Sequence, residues 1–465
     1  MKREIVFAIC AIFLTSNYIM AGKYSDKDVE KLLKRVEQLE KSVKKFQGDY
    51  EEQIDELNAR VDDNEFQASL NRIKWGGEFE STVGNYWGRQ GSIKGIYTGS
   101  KYNNHNKWDL KLRLNMQTNI NERTKFIGRL SMYKGWASSQ KWGGMNGYPG
   151  TFDSSDGRSL GGSSIYVERA YVDYKITNNL IATIGRQPSN DGPGMNLKNN
   201  TPRKSTYPSI LFNGNADGLV LSYKFPKKTI SNGAIRLAYG KGYQWSDDSY
   251  GYNANQNDLK DLNVYGAFLE GSLPFKKMGS NLVVFSAVLG KDFVGSSGDS
   301  NTSHNINLGD FKHFGLYFEN NRAFGTKLNY FISLAMSNPK SNGKSYITAM
   351  GPMQLLKKDG YAYHVGARYD INSKFKIGYE FNHGSRYWFS YTTGSYDPLN
   401  KIATRGSAHD FYLMYQMDMN QFLRMGYTSI DYKYAMSGWH MAPNGKPMPT
   451  DDYARLLYLN YNVKF

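Results

Sequence analysis

The sequence predicts an all-β chain, a transmembrane antiparallel β-barrel of about 16 strands, preceded by an N-terminal α-helical coiled coil. Three observations predict it. Residues 73–465 alternate apolar and polar side chains in segment after segment, the period of a strand with two unlike faces. The connections between these segments alternate between short and long. Residues 25–72 carry a helical heptad instead, with no proline.

Composition agrees with this division. The 465 residues include 36 Tyr, 47 Gly and 13 Pro, with a mean hydropathy of −0.61. Past the N-terminus no apolar run approaches the roughly 20 residues that a helical span requires. A barrel tolerates so polar an average because half of each strand faces a polar lumen. Tyrosine suits the two membrane interfaces, and glycine eases strand curvature.

The N-terminus, residues 1–21, reads as a secretory signal peptide. Lys2 and Arg3 form its basic part, Ile5 to Leu14 its apolar part, and Ala21 a cleavage position with the bulky Ile19 three residues from the cut. The only cysteine, Cys10, lies inside that apolar part and follows Ile9, where a lipoprotein signal needs a small residue. The mature chain would then hold no cysteine, as suits passage through an oxidising compartment.

In the helical segment, Val29, Leu32, Val36, Leu39, Val43, Phe46 and Tyr50 occupy a and d positions. The register then shifts by four, and Ile54, Leu57, Val61, Asn64 and Ala68 continue it. Such a stutter locally unwinds a coiled coil, and Gly48 beside it weakens the helix. Valine at a with leucine at d favours a parallel dimer; a single amphipathic helix lying on the barrel is the other reading.

The strands are expected at 73–83, 108–118, 124–134, 165–176, 180–187, 217–225, 233–242, 262–271, 280–290, 308–318, 326–337, 361–370, 374–383, 408–417, 421–430 and 455–465. In the second, Trp108, Leu110, Leu112, Leu114 and Met116 oppose Asp109, Lys111, Arg113, Asn115 and Gln117. Segment 280–290 is ambiguous, because both of its faces are apolar. Long connections at 84–107, 135–164, 188–216, 243–261, 291–307, 338–360, 384–407 and 431–454 alternate with short turns. A barrel with periplasmic short turns and both termini in the periplasm has this pattern; a soluble sandwich has no reason for it.

A barrel this wide holds an aqueous channel unless it is plugged, and the residues before Ile73 are too few and too charged for a globular plug. Passive diffusion of small hydrophilic solutes is therefore the expected function, with a structural or adhesive barrel displaying surface loops as the alternative. The chain's net charge is +16, while residues 22–74 hold 11 basic and 13 acidic side chains, so the positive excess belongs to the barrel. Because charge on the lipid face costs about 2–4 kcal/mol near the midplane, the excess must sit in the lumen, loops and interfaces. Alternation places Lys111, Arg113, Lys125, Arg129, Arg169, Arg236, Arg368 and Lys376 on the inner wall as pore-lining cations, together with Lys175 and Lys224. Asp173 and Glu380 join them as pore-lining acids, with Asp109 and Asp410 also inward. A cationic wall favours anions; loop lysines bound to lipopolysaccharide phosphates would account for the same excess.

Three stretches carry a family resemblance. Leu457–Phe465 ends on an aromatic and resembles the C-terminal signature of Gram-negative outer-membrane barrels, which the barrel-assembly machinery reads. Glu168–Tyr174 followed by Gly185–Pro188 resembles the hairpin of porin-like proteins that leads into an inward loop. Tyr379–Trp388 resembles a stretch in an uncharacterised porin-like family with an N-terminal coiled coil. The resemblance implies a channel in the cell outer membrane, a periplasmic coiled coil at 25–72 and a barrel over 73–465. It also implies a homotrimer, and contact with outer-membrane lipid, lipopolysaccharide and peptidoglycan. In general porins the third long loop folds inward and forms the constriction; by position, this transfers to Asn190, Asp191, Lys198, Arg203 and Lys204.

No cofactor, metal site or nucleic-acid partner is expected. None of the seven histidines stands in an HExxH spacing. His383 with Ser385, or His409 with Ser407, are the nearest approach to a hydrolytic pair, and no enzyme is expected. Asp153–Gly157 has only part of a calcium-loop spacing and reads as a turn.

Overall fold

The computed structural model describes residues 26–70, 73–136, 165–187, 192–203, 205, 207–214, 216–243, 260–274, 279–295, 306–348, 351–392 and 397–465. The expected signal peptide, the turn at Asp153–Gly157 and the loop residues Asn190, Asp191 and Lys204 lie outside them. The chain divides into two units, residues 1–72 and 73–465.

Among the described residues of the first unit is one helix, α1 (Asp26–Leu70). Its 45 residues extend about 68 Å at roughly 1.5 Å per residue. Glu30–Lys34 (3.1 Å) and Glu37–Lys41 (3.3 Å) are paired one turn apart on its polar side, each worth a few tenths of a kcal/mol. Val36, Leu39, Val43, Phe46, Tyr50, Ile54, Leu57 and Val61 form an exposed apolar stripe.

The second unit is a closed antiparallel barrel of sixteen strands. They are β1 (Lys74–Gln90), β2 (Ser100–Asn119), β3 (Thr124–Gly135), β4 (Tyr166–Lys175), β5 (Leu180–Gln187) and β6 (Ala216–Lys224). Next come β7 (Ala234–Tyr243), β8 (Leu262–Gly271), β9 (Ser280–Gly295), β10 (Ile306–Asn321) and β11 (Leu328–Ser341). The wall ends with β14 (Gly360–Asp370), β15 (Phe375–Gly384), β16 (Gly406–Gln416), β17 (Gln421–Tyr432) and β19 (Tyr453–Lys464). Three short strands, β12 (Tyr346–Thr348), β13 (Gly351–Leu355) and β18 (Met441–Pro443), pair outside the wall. Each wall strand overlaps one of the sixteen expected segments. The barrel closes between β1 and β19, where Val83 faces Leu459, and reciprocal backbone bonds of 2.6 and 3.0 Å join Gly77 to Phe465.

The two faces of the wall have opposite character. On β19, Tyr458 and Asn460 are 6% and 1% exposed inside the barrel, while Leu457 and Leu459 are each 44% exposed outside it. The same alternation puts Ile377, Phe411, Met425, Leu334 and Phe285 on the outer surface. Water would penalise so continuous an apolar band; lipid would not. This is a transmembrane barrel, with polar groups turned inward and backbone groups satisfied by closure.

Three expectations about boundaries need correction. Residues 84–107 are not one long loop, since β1 and β2 run on to Gln90 and back from Ser100. Tyr86 and Trp87 put an aromatic on each face of the β1 extension, and residues 100–107 are nearly all polar, so no period of two marks them; residues 100–107 pair only with β1 among the described residues. The connection 384–407 is also not a surface loop. Trp388, Phe389, Ile402, Ala403 and Arg405 within it are buried, and a 3-10 turn spans Lys401–Ala403. Finally, the connections that hold β13 and β18 pack Met353, Leu355 and Met441 onto Phe293, Phe311, Phe389 and Tyr391, forming an apolar core. The ambiguity of 280–290 has a related cause. Leu282 and Val284 face inward against Leu197 of the β5–β6 connection, with Tyr317 and Phe331, so that part of the lumen is filled and both faces of β9 are apolar.

Candidate functional site

The lumen wall from β1 to β4 is a ladder of paired charges. Register brings Glu78 opposite Arg113 and Glu80 opposite Lys111, and both pairs close at 3.2 Å. Arg129 reaches Glu168 at 3.0 Å and Glu78 at 3.5 Å. Arg113 and Arg169 approach the same Glu168 at 3.4 and 3.8 Å, and the Ser131 hydroxyl donates to it. Strict alternation would turn Glu168 outward beside the inward Arg169. The β3–β4 register shifts between Arg129 and Leu130, a bulge that places both residues inside. A fully buried carboxylate thus serves three guanidinium groups.

The expected inner-wall cations are brought together in part. Lys111, Arg113, Arg129 and Arg169 belong to this ladder. Arg236 and Arg203 bracket Glu270 on β8 at 2.8 and 2.9 Å. Arg368 binds Asp370 at 2.8 Å, and Lys376 donates to Asn200 at 2.8 Å. Asp173 accepts from Thr183 at 2.6 Å. Lys125 faces Asp173 in register but joins none of these clusters.

The β5–β6 connection crosses the lumen. Residues 192–213 include the buried Met195, Leu197, Ile210 and Leu211. Their partners lie on distant strands: Asn196 donates to Glu319 of β10 at 3.3 Å and Arg203 to Glu270 of β8 at 2.9 Å. Lys198 pairs with Asp410 of β16. The β15–β16 connection meets it from the other side. Asn213 donates its amide to the Tyr391 carbonyl at 2.6 Å and Tyr391 donates to that of Leu211 at 3.3 Å. Lys401 enters the same centre, bonding Glu380 at 2.6 Å and also Asp410. His364 completes it, 3.3 Å from Glu380. One wall carboxylate, Asp410, therefore ties both inward connections to β16.

Burial alone would lower both lysines, but the carboxylates outweigh it. Asp410 raises Lys198 above the ordinary lysine value. Asp410, Glu380 and Asp397 hold Lys401 well above it. Both ammonium groups stay charged at neutral pH.

A cavity remains on the β1–β19 side. It runs between the wall residues Glu80, Asp109 and Arg424 and the loop residues Met195, Lys198 and Asp397. Polar groups of both signs line it, which suits a hydrated solute. On the outer wall His383 lies 3.0 Å from Ser407, while Ser385 instead accepts the Tyr361 amide at 2.8 Å. His409 bonds Tyr379 at 2.8 Å. Asp431, opposite Ser407, is held by Arg455 at 2.5 Å, so no acid–base–nucleophile relay forms there. No cluster of three or more metal-ligating side chains occurs among the described residues.

Sequence reasoning missed Glu78, Glu80, Glu168, Glu270, Lys401 and Arg424. Glu78 and Glu80 carried a signal, since they alternate with Phe79 and Ser81 in the first strand. The Glu168 bulge and the inward path of Lys401 had none, because both depend on contacts with distant strands.

No curated protein sequence matches the chain. Among solved structures, the loop L8 deletion mutant of OmpT, an outer membrane protein of Vibrio cholerae, is 12% identical with a TM-score of 0.44, covering 84% of this chain and 99% of that one. The trimer form of in-vitro folded OmpT gives 11%, 0.44, 84% and 99%. Salmonella typhi OmpF in complex with daunomycin gives 10%, 0.47, 84% and 97%. A family profile described as Protein of unknown function (DUF3373) matches residues 101–463, most of the barrel. The chain belongs to that family.

Proposed function

We propose that this protein is a porin-like channel of the outer membrane, passing small hydrophilic solutes by passive diffusion with an anion preference. The observation that carries the reading is the cavity inside the wall: a closed barrel with an apolar exterior holds a polar space lined by Glu80, Asp109, Lys198 and Arg424. Lys198 stands on an inward connection, where a constriction would form, and Arg203 anchors the same connection to Glu270. No catalytic step is assigned. In planar bilayers the purified protein should give discrete conductance steps. Their absence refutes the channel, and a cation preference in a salt gradient refutes the selectivity.

The exposed stripe of α1 supports a coiled coil between copies, in a homotrimer with the helix in the periplasm. Deleting residues 26–70 should abolish detergent-resistant oligomers. If oligomers survive while association with peptidoglycan loosens, the helix is a tether instead. A second reading, a barrel that mainly displays loops, draws on the paired Glu78–Arg113 and Glu168–Arg129 ladder and the apolar core under β13 and β18. The bilayer experiment separates the two.

A further inference from the structure

We propose that Arg368, Lys376, Arg424 and Lys464, gathered around the tip of the inward β5–β6 connection, form a binding station for the oxyanion group, carboxylate or phosphate, of solutes in the lumen. The four come from four strands, β14, β15, β17 and β19, and converge on residues 197–200. Arg368 donates to the Leu197 carbonyl at 2.8 Å and to the Asn200 side chain at 3.3 Å. Arg424 donates to the Lys198 carbonyl at 2.8 Å, and Lys464 reaches the Asn200 carbonyl at 3.4 Å. Lys376 bonds the Asn200 side-chain oxygen at 2.8 Å.

These acceptors are neutral. A carbonyl or amide oxygen satisfies a hydrogen bond without cancelling a charge, so Lys376, Arg424 and Lys464 keep nearly all of theirs. Asp370 neutralises Arg368 through two contacts, at 2.8 and 3.3 Å. Lys376, Arg424 and Lys464 have no carboxylate within ion-pair distance among the described residues. Glu78 lies opposite Lys464 in register, yet it is engaged by Arg113 and Arg129. Among the described residues, Asp370 is the one carboxylate ion-paired within the cluster, and Glu78 and Glu80 of the same cavity are already engaged by Lys111, Arg113 and Arg129, so a positive excess remains inside a low-dielectric wall that focuses its field.

A second feature points to a ligand rather than to a loop anchor alone. The Arg424 side chain is almost wholly buried and lines the cavity beside Lys464 and Asn199, and its Nε finds no acceptor. A guanidinium N–H left without an acceptor, next to an ammonium and the Asn199 amide, matches the planar, multidentate acceptors of an oxyanion. The station would draw such a group from solution into the cavity. This use rests on the channel reading, whereas the binding itself does not.

The test combines equilibrium and transport on the full-length chain. Calorimetric titration of inorganic phosphate at low ionic strength is run on the wild type, on Lys376→Gln/Lys464→Gln, and on Lys376→Arg/Lys464→Arg, each checked for the compact heat-modifiable form. Saturable binding is expected for the wild type, weakened at least tenfold by the Gln pair, restored by the Arg pair and weakened by added salt. In bilayers the Gln pair should lower the chloride-to-potassium permeability ratio at least twofold while steps persist. Should the Gln pair not fold, Arg424→Gln takes its place with the same expectation. No saturable phosphate binding by the wild type, or equal binding by the neutralised variant, overturns the station. Phosphate binding without conductance steps would instead overturn the channel and leave the station standing.

Discussion

Replacing Lys401 by Met removes one charge from a centre that holds two lumen connections together. The Lys401 ammonium is buried, bonds Glu380 at 2.6 Å and also binds Asp410. Methionine of similar length keeps most of the packing but leaves two buried carboxylates short of a cation. Breaking a buried pair by removing one partner costs about 3–5 kcal/mol. The lower end applies here, because Asp410 keeps Lys198 and Glu380 keeps His364. A loss of about 3 kcal/mol is roughly a 150-fold shift toward the undocked connection. Trp388, which is fully buried and donates to the Ile402 carbonyl at 3.2 Å, moves with that connection. Urea titration in lipid vesicles, followed by tryptophan emission, should show the loss as an early transition. Lys401→Met combined with Asp410→Asn should cost less than the sum of the two, with a coupling of about 1–3 kcal/mol. A single-variant cost below about 1 kcal/mol, or strict additivity, would refute the assignment of this centre as the clamp.

Other consequences follow from the same charges and faces. Glu168→Gln leaves Arg113, Arg129 and Arg169 without their shared carboxylate, and should destabilise the β3–β4 wall by about 3 kcal/mol in the same titration; Glu122→Gln in the exposed short turn is the control, expected near zero. Leu459→Arg places a charge on the outer face and should cost about 2–4 kcal/mol if the residue lies near the membrane midplane, read as lost assembly into vesicles. Leu456→Arg on the inner face should not follow the same depth dependence. Lys198 and Lys401 have raised folded values, so the docking they provide is complete below the ordinary lysine pKa of about 10.4 and is lost only as pH climbs through the higher folded values. Protease cleavage within residues 385–405 should therefore stay suppressed at pH 10 and appear only at more alkaline pH; release between pH 8 and 9 would contradict it.

Much of the architecture was legible because a barrel repeats one simple rule. Each strand needs one face for lipid and one for a polar lumen, and Leu457–Phe465 or Phe375–Asn382 state that rule residue by residue. The rule fails where its cause is absent. Residues 84–107 rise beyond the region with two unlike faces, and 280–290 face an apolar filling. The inner-wall cations Lys111, Arg113 and Arg129 were readable for the same reason. Their partners were only half readable, because pairing depends on register between strands rather than on order along one.

The sequence by itself determined a helical segment at 25–72, the sixteen-strand wall, its closure near Trp75 and the turning of charged side chains inward. These follow from period, connection length and the cost of burying charge in lipid, all of which are local or additive. Tertiary structure alone decided that Glu168 turns inside at a bulge, that Lys198 and Lys401 meet on one carboxylate, and that the lined cavity lies against the β1–β19 wall. Those depend on which distant side chains close the same space, and contacts across a lumen leave no periodic trace in the chain.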